Sequence, residues 1–421
     1  MFKKSYLSLL ILILLLFDCS RDKKPLEPEQ PSPIPCTMPQ TDIPWPSLAN
    51  SPWPMSTVNP QGIARSRYLG PQEGKVHWAI APEDTFSTRD EIGPAIGPDT
   101  TIYFTIDGIT KSFLALTPEG HIKWFKERSE TFRIYTGPVV AADSTIYVGG
   151  ANFYALRPNG SVKWVFQEGT FFVEIRPLLG IDGTIYTQNF QGIIYALTPD
   201  GNIKWQNEIG QGGTCYMSAS PDGSTIYAPG KDSTLIALDA ENGAILWSVK
   251  TRVNSCAGPT VDSQGNIYCY AWENPRVVHD GFICYEGFVY SLDPAGKLRW
   301  KYKVGPVGTV LPWAGITIDY NGNCYFSWNS GGIGVISLDY AGHLRWKLDY
   351  PDGFSDWPVV CDSENDLYLL NELLPKVLCY FPDGTLKFSL EVPGWHLNAA
   401  AIGHNSIMYF GEDTHWLVAV K

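Results

Sequence analysis

Eight copies of one short pattern, a glycine followed four residues later by a large aromatic residue, run through this 421-residue chain. They are Gly74 to Trp78, Gly120 to Trp124, Gly160 to Trp164, Gly201 to Trp205, Gly243 to Trp247, Gly296 to Trp300, Gly342 to Trp346 and Gly384 to Phe388. A unit that returns at roughly forty residues builds a fold from repeated modules, each burying its apolar face on its neighbours.

Two further parts recur in step. One is a strand centred on a tyrosine: Tyr103, Tyr147, Tyr186, Tyr227, Tyr268, Tyr325, Tyr368 and Tyr409. The other ends at Leu116, Leu156, Leu197, Leu238, Leu292, Leu338, Tyr380 and Val418. Pro-Glu-Gly120, Pro-Asn-Gly160, Pro-Asp-Gly201 and Pro-Asp-Gly384 are tight-turn sequences. In each, proline presets the backbone and glycine accepts the positive φ that closes the hairpin. Residues alternate in character beside these turns, as in Ile203-Lys204-Trp205, which is the period of a strand. Each unit therefore predicts four short antiparallel strands, one blade of a β-propeller.

The ends of the chain complete each other. Gly74–Trp78 lacks a preceding tyrosine strand, and Tyr409 and Val418 lack a following Gly-x-x-x-Trp. The predicted fold is all-β: a single closed eight-bladed propeller of four-stranded antiparallel blades. Its N-terminal and C-terminal strands pair, which removes the open sheet edge. The expected organisation is a signal peptide over 1–18, a lipid-anchored proline-rich linker over 19–54, and the propeller over 55–421.

The N-terminal reading rests on Lys3 and Lys4, followed by an apolar run from Leu7 to Phe17. That run is short for a membrane span and suits a signal-peptide core. Leu16-Phe17-Asp18-Cys19 resembles a bacterial lipobox, with Cys19 as the lipidated residue, although Phe17 and Asp18 stand where small residues are usual. Ten prolines between Pro25 and Pro54 predict an extended tether. Export permits disulfides; Cys269 and Cys284 flank an insertion around 271–287 that they could bridge, the alternative being that both are small apolar packing residues. The absence of Cys-x-x-Cys excludes zinc-ribbon and thioredoxin-like readings. The net charge of −12 disfavours nucleic acid, whose phosphates are held by Lys and Arg.

The segment Ala237-Leu-Asp239-Ala-Glu-Asn-Gly243-Ala-Ile-Leu-Trp247 resembles the tryptophan-docking motif of the quinoprotein-type (PQQ-like) propellers. The lead-in is similar too: Trp53-Pro54-Met55, Asn59-Pro60-Gln61-Gly62, Arg65-Ser66, Tyr68 and Gly70-Pro71. The resemblance spans about residues 52–421 and implies that Trp78, Trp124, Trp164, Trp205, Trp247, Trp300, Trp346 and Phe388 dock neighbouring blades. It implies two functional branches. One oxidises alcohols or sugars with pyrroloquinoline quinone and calcium at the channel mouth. Many of its alcohol-oxidising members carry a disulfide between adjacent cysteines, and no adjacent pair occurs here. In the other branch the propeller is a non-catalytic platform; one member is a lipoprotein of the outer-membrane β-barrel assembly machinery.

The channel mouth is the expected place for a site. Twelve residues before each repeat tyrosine stand Glu91, Tyr135, Glu174, Cys215, Cys256, Trp313, Asp356 and Leu397, with Arg133, Arg176, Trp357 and His396 close in sequence. Carboxylates facing arginines and aromatic rings suit a polar ligand or a hard cation. The alternative is a solvated channel lined with mutually satisfied ion pairs. No H-x-x-x-H, G-x-S-x-G or P-loop pattern is present. The expectation is an exported, monomeric envelope protein, periplasmic or surface-facing, held to the membrane by its lipid alone. It is a non-catalytic platform for an envelope protein or a small polar ligand, with no cofactor. A quinone- and calcium-dependent dehydrogenase and a carbohydrate-binding or sensing module are the alternatives.

Overall fold

In the computed structural model of the chain, eight four-stranded sheets form the propeller. The structure describes residues 36–81, 86–87, 93–108, 110–167, 176–209, 216–231, 234–251, 258–277, 283–307, 315–329, 333–349, 358–371, 374–394, 397–412 and 416–421.

Each blade runs outward from a two-residue inner strand. In blade three, Leu178–Leu179 is innermost, followed by Ile185–Gln188, Ile194–Leu197 and Ile203–Asn207. The inner strands of blades one to eight are Ala95–Ile96, Val139–Val140, Leu178–Leu179, Ser218–Ala219, Thr260–Val261, Thr317–Ile318, Val360–Cys361 and Ala401–Ile402. Blade eight takes its outermost strand from the other end of the chain: Val76–Ile80 pairs antiparallel with Leu417–Val420, and Val76 stands opposite Val420. This is the closure that the chain ends predicted.

Apolar residues of the second and third strands fill the spaces between blades. Leu116, Leu156, Leu197, Leu238 and Leu338 have no exposed surface. All eight repeat tyrosines are buried. Each lies against the aromatic residue of its own outer strand, from Tyr186 and Trp205 at 5.7 Å between ring centroids to Tyr368 and Phe388 at 6.4 Å. Rings offset at such distances attract through their quadrupoles and through the area they bury.

The tryptophans then reach the next blade. The indole N–H of Trp78 donates to the Pro118 carbonyl at 2.7 Å, Trp124 to Pro158 at 2.8 Å, and Trp164 to Pro199 at 2.8 Å. Trp205 donates to Ala240, Trp247 to Pro294, Trp300 to Tyr340 and Trp346 to Pro382, at 3.0 to 3.1 Å. Each ring lies flat on the turn glycine of the following blade. At Gly243 a Cβ would stand 2.6 Å from the Trp205 ring, and φ there is +74°. Only glycine meets both demands without strain.

The region expected as an extended linker is corrected over residues 36–54. Trp45, Leu48, Ala49 and Trp53 are buried, Trp53 completely. The Met38 and Gln40 amides donate to the carbonyls of Asn321 and Tyr320, both at 2.9 Å, and the Trp45 indole donates to Leu179 at 2.8 Å. Proline-rich sequence stays extended here, but on a protein surface: inner strands of a ring carry unpaired N–H and C=O groups that need partners. Residues 1–35, including Cys19, lie outside the described residues.

Of the two readings of Cys269, the structure takes the packing residue over the bridge. Cys269 is a free, buried thiol opposite Tyr290, whereas the backbone of Cys284 stands opposite Arg276, far along the same ladder. A disulfide requires Cα atoms within about 7 Å. The insertion continues the blade-five sheet as an arm of strands Ile267–Val277, Ile283–Leu292 and Leu298–Val307.

Candidate functional site: the plugged channel

The N-terminal segment does more than cover a face. It enters the ring and pairs with inner strands from inside. Ile96 donates its amide to the Trp53 carbonyl at 2.6 Å, and Val140 donates to Pro54 at 2.8 Å. Ala219 donates to Pro60, Val261 to Gln61 and Cys361 to Ala64, each at 2.8 Å. Blade six is reached by a side chain. The Arg65 guanidinium donates to the Ile318 carbonyl at 3.0 Å and the Asp319 carbonyl at 3.1 Å, pairs with Asp42 at 3.1 Å, and stacks 4.1 Å over the Tyr320 ring. With Trp45 on Leu179, the segment holds the inner strands of blades one to seven. Residues 53–56 and 60–66 are all buried. The axis of the propeller is occupied by the protein's own chain.

Two cavities flank this plug. On the face of the turns that follow the inner strands, the segment shapes an open groove of about 570 Å³. Among its walls are Asp42, Pro44, Trp45, Asn50, Arg65 and Arg67. Trp45 offers little ring surface, being only 9% exposed, so the groove lacks the exposed aromatic wall that a carbohydrate-binding reading calls for.

The second cavity lies on the axis, above the plug, and holds about 20 Å³. Its floor is Ser56, Thr57 and Gly62. Its wall is a register ring: Gly93, Arg176, Tyr216, Gly258, Gly315, Pro358 and Ala399 each stand two residues before an inner strand. The axial register is thus ten residues before the repeat tyrosine, eleven for Tyr216 because blade four carries one extra serine, rather than the twelve expected. Small residues occupy five of these wall positions because the plug passes close by. Arg176 and Tyr216, in adjacent blades, are the exceptions.

Arg176 is 6% exposed, and its guanidinium lies 4.6 Å over the Tyr216 ring. Burial lowers its pKa to about 10, partly countered by Tyr216. At neutral pH it remains a cation. Its Nε has no hydrogen-bond partner. The neighbouring plug residue Gln61 is fully buried with neither amide atom partnered.

Of the predicted site residues, the structure places Arg176 on the axial cavity. Arg133 and Tyr135 are not among its lining residues. Arg133 lies 5.3 Å over the Tyr135 ring, and the backbone of both bonds to blade two, Tyr135 to Gly149 at 2.8 Å and Ala151 to the Arg133 carbonyl at 2.9 Å. Glu91, Glu174, Trp313, Asp356, Trp357 and His396 lie outside the described residues. Sequence reasoning passed over Gln61, Gly62, Arg65 and Tyr216. Tyr216 was legible by register once the extra serine was allowed for. The plug residues belong to no repeat and carried no such signal.

An eight-bladed ring with docking tryptophans and a closing terminal strand is the fold of the quinoprotein-type propellers, and it is the fold of this chain. Residues 190–281 match the family described as outer membrane protein assembly factor BamB. No curated protein matches the chain. Among solved structures, BamB from Moraxella catarrhalis is similar with a TM-score of 0.58 at 14% identity, over 82% of this chain and 98% of that one. Quinohemoprotein alcohol dehydrogenase from Comamonas testosteroni gives 0.63 at 14% identity, over 87% and 80%. Quinohemoprotein alcohol dehydrogenase ADHIIG from Pseudomonas putida HK5 gives 0.64 at 12% identity, over 90% and 82%. At these identities the likeness is one of fold.

Proposed function

We propose that this chain is a non-catalytic binding platform of the bacterial envelope, exported, lipid-anchored at Cys19, and engaging a protein partner through the faces of the propeller. The observation that carries the reading is the plug. The axis, where a ring of blades would cradle a cofactor, is filled by residues 53–66 bonded to the inner strands. Pyrroloquinoline quinone with calcium does not fit the described channel. A cavity of about 20 Å³ is far below the roughly 300–1,000 Å³ of small-molecule sites. The wall positions at that level are glycine, proline, alanine, Arg176 and Tyr216, which offer no carboxylate to a calcium ion. The match to the BamB family model supports a protein partner in the envelope.

The surfaces left for recognition are the groove on one face and the blade-five arm. The arm is stiffened by Trp272 stacked on Tyr285 at 5.0 Å and by Lys303 paired with Glu286 at 2.7 Å. The test places photo-crosslinking residues at Asn274 on the arm and Asn50 in the groove, in full-length protein within its own envelope. A discrete adduct with one envelope protein from either position is expected. No adduct from either, together with alcohol-dependent dye reduction that requires quinone and calcium, overturns the proposal in favour of a dehydrogenase.

A further inference from the structure

The axial cavity poses an electrostatic problem. Arg176 is more than nine-tenths buried, and no carboxylate among the described residues lies within pairing distance of it. Taking a guanidinium out of water is unfavourable unless an anion or several acceptors replace the lost hydration. Tyr216 supplies a ring face, and Nε has no acceptor. The wall positions facing Arg176 are glycine, proline and alanine, so they contribute no counter-charge. The plug passes close to the guanidinium: a Cβ at Gly62 would stand 3.4 Å from an Arg176 Nη.

We propose that this cavity is a binding site for one small monovalent anion of halide size, held by Arg176 and locking the plug against blade three. The volume sets the ligand. About 20 Å³ admits one or two water-sized bodies, which suits chloride or bromide and excludes sulfate and phosphate. The Ser56, Thr57 and Thr260 side chains at the cavity add neutral polar lining without a competing negative charge. Because the floor is the plug itself, an anion seated on Arg176 favours the inserted segment over the withdrawn one.

The test uses the full chain in gluconate buffer at constant ionic strength, with gluconate replaced stepwise by chloride. The melting temperature is expected to rise hyperbolically, by about 3–5 °C at a hundredfold excess over half-saturation. Amide exchange in residues 53–66 is expected to slow over the same range, while sulfate gives neither effect. Arg176→Met removes the charge and keeps the length. It is expected to abolish the saturable response and to melt above the wild type when chloride is absent. Equal responses of wild type and Arg176→Met, or no saturation, overturn the site; a carboxylate of the chain already seated on Arg176 gives that second result. Should Arg176→Met fail to fold, wild-type crystals in bromide decide. An anomalous peak within hydrogen-bond distance of the Arg176 guanidinium supports the proposal, and a cavity without one overturns it.

Discussion

Lys75 and Lys421 exchange backbone hydrogen bonds: the Lys75 amide donates to the Lys421 carbonyl at 3.0 Å, and the Lys421 amide returns one to Lys75 at 2.9 Å. These two bonds close a ring whose other seams lie within continuous chain. Closure leaves blade eight without a free inner-to-outer gap, and the docking chain then passes from Trp78 around to Phe388, whose ring meets Gly74.

Phe388 is the one docking residue without an N–H to donate. At most other seams the indole bonds to the carbonyl two residues before the turn glycine, as Trp346 does to Pro382 before Gly384. The equivalent carbonyl before Gly74 is that of Gln72. Phe388→Trp is expected to form this bond and add about 1 kcal/mol of stability, read as a higher denaturation midpoint with an unchanged slope. A lower midpoint would show that the closing seam is packed differently from the rest.

Gly243→Ala tests the docking turn itself. The new methyl would stand at φ +74° and 2.6 Å from the Trp205 ring, so both backbone strain and a clash oppose it. A loss of about 2–4 kcal/mol is expected by denaturant unfolding. Gly305→Ala, at φ +142° but with nothing within 4 Å of a Cβ, carries backbone strain without the clash and is expected to cost less.

Trp53 distinguishes a plug from a tether. In a free linker Trp53→Ala would leave stability unchanged. With its side chain fully buried against the inner strands, the substitution is expected to cost about 3–5 kcal/mol. Limited proteolysis should then cut residues 36–66 before any blade, because the inner-strand bonds to residues 53–66 are lost with it.

Asp182 makes stability depend on acid. Burial alone would raise its pKa, but bonds from the Thr184 amide and hydroxyl and from Lys204 outweigh burial and hold it below 3.8. A depressed carboxylate contributes stability above its unfolded value, and that contribution is lost as pH falls through the folded value. Its side chain is 51% exposed, so the contribution is below about 1 kcal/mol. Asp182→Asn is expected to be slightly less stable than the wild type at pH 7, with the difference shrinking as acid protonates the wild-type carboxylate below 3.8. Asp362 works in the opposite sense. Burial, and then the nearby Asp366 charge, raise its pKa, so its contribution to stability falls as pH rises from 3.8.

The number of blades, their strands and the ring closure were all readable from residue order. A glycine and an aromatic residue at fixed spacing create a local turn and a ring to lay on the next turn, and those needs repeat wherever the pair does. The missing outer strand of the last blade was visible as a surplus Gly74–Trp78 at the front. The plug was not readable. Residues 36–66 have no period, and their prolines suit an extended tether as well as a strand-like insert. What chooses between these is the set of unpaired N–H groups on inner strands from several blades, which converge only once the ring has closed. Arg176 shows the same division: its charge is written in the sequence, while its isolation follows from the glycines, proline and alanine that five other blades bring to its level. Cys269 and Cys284 are near in sequence, yet one strand register sets them apart. Local turns and packing pairs are decided by neighbouring residues; the filling of the axis and the company each side chain keeps there are decided by where eight blades meet.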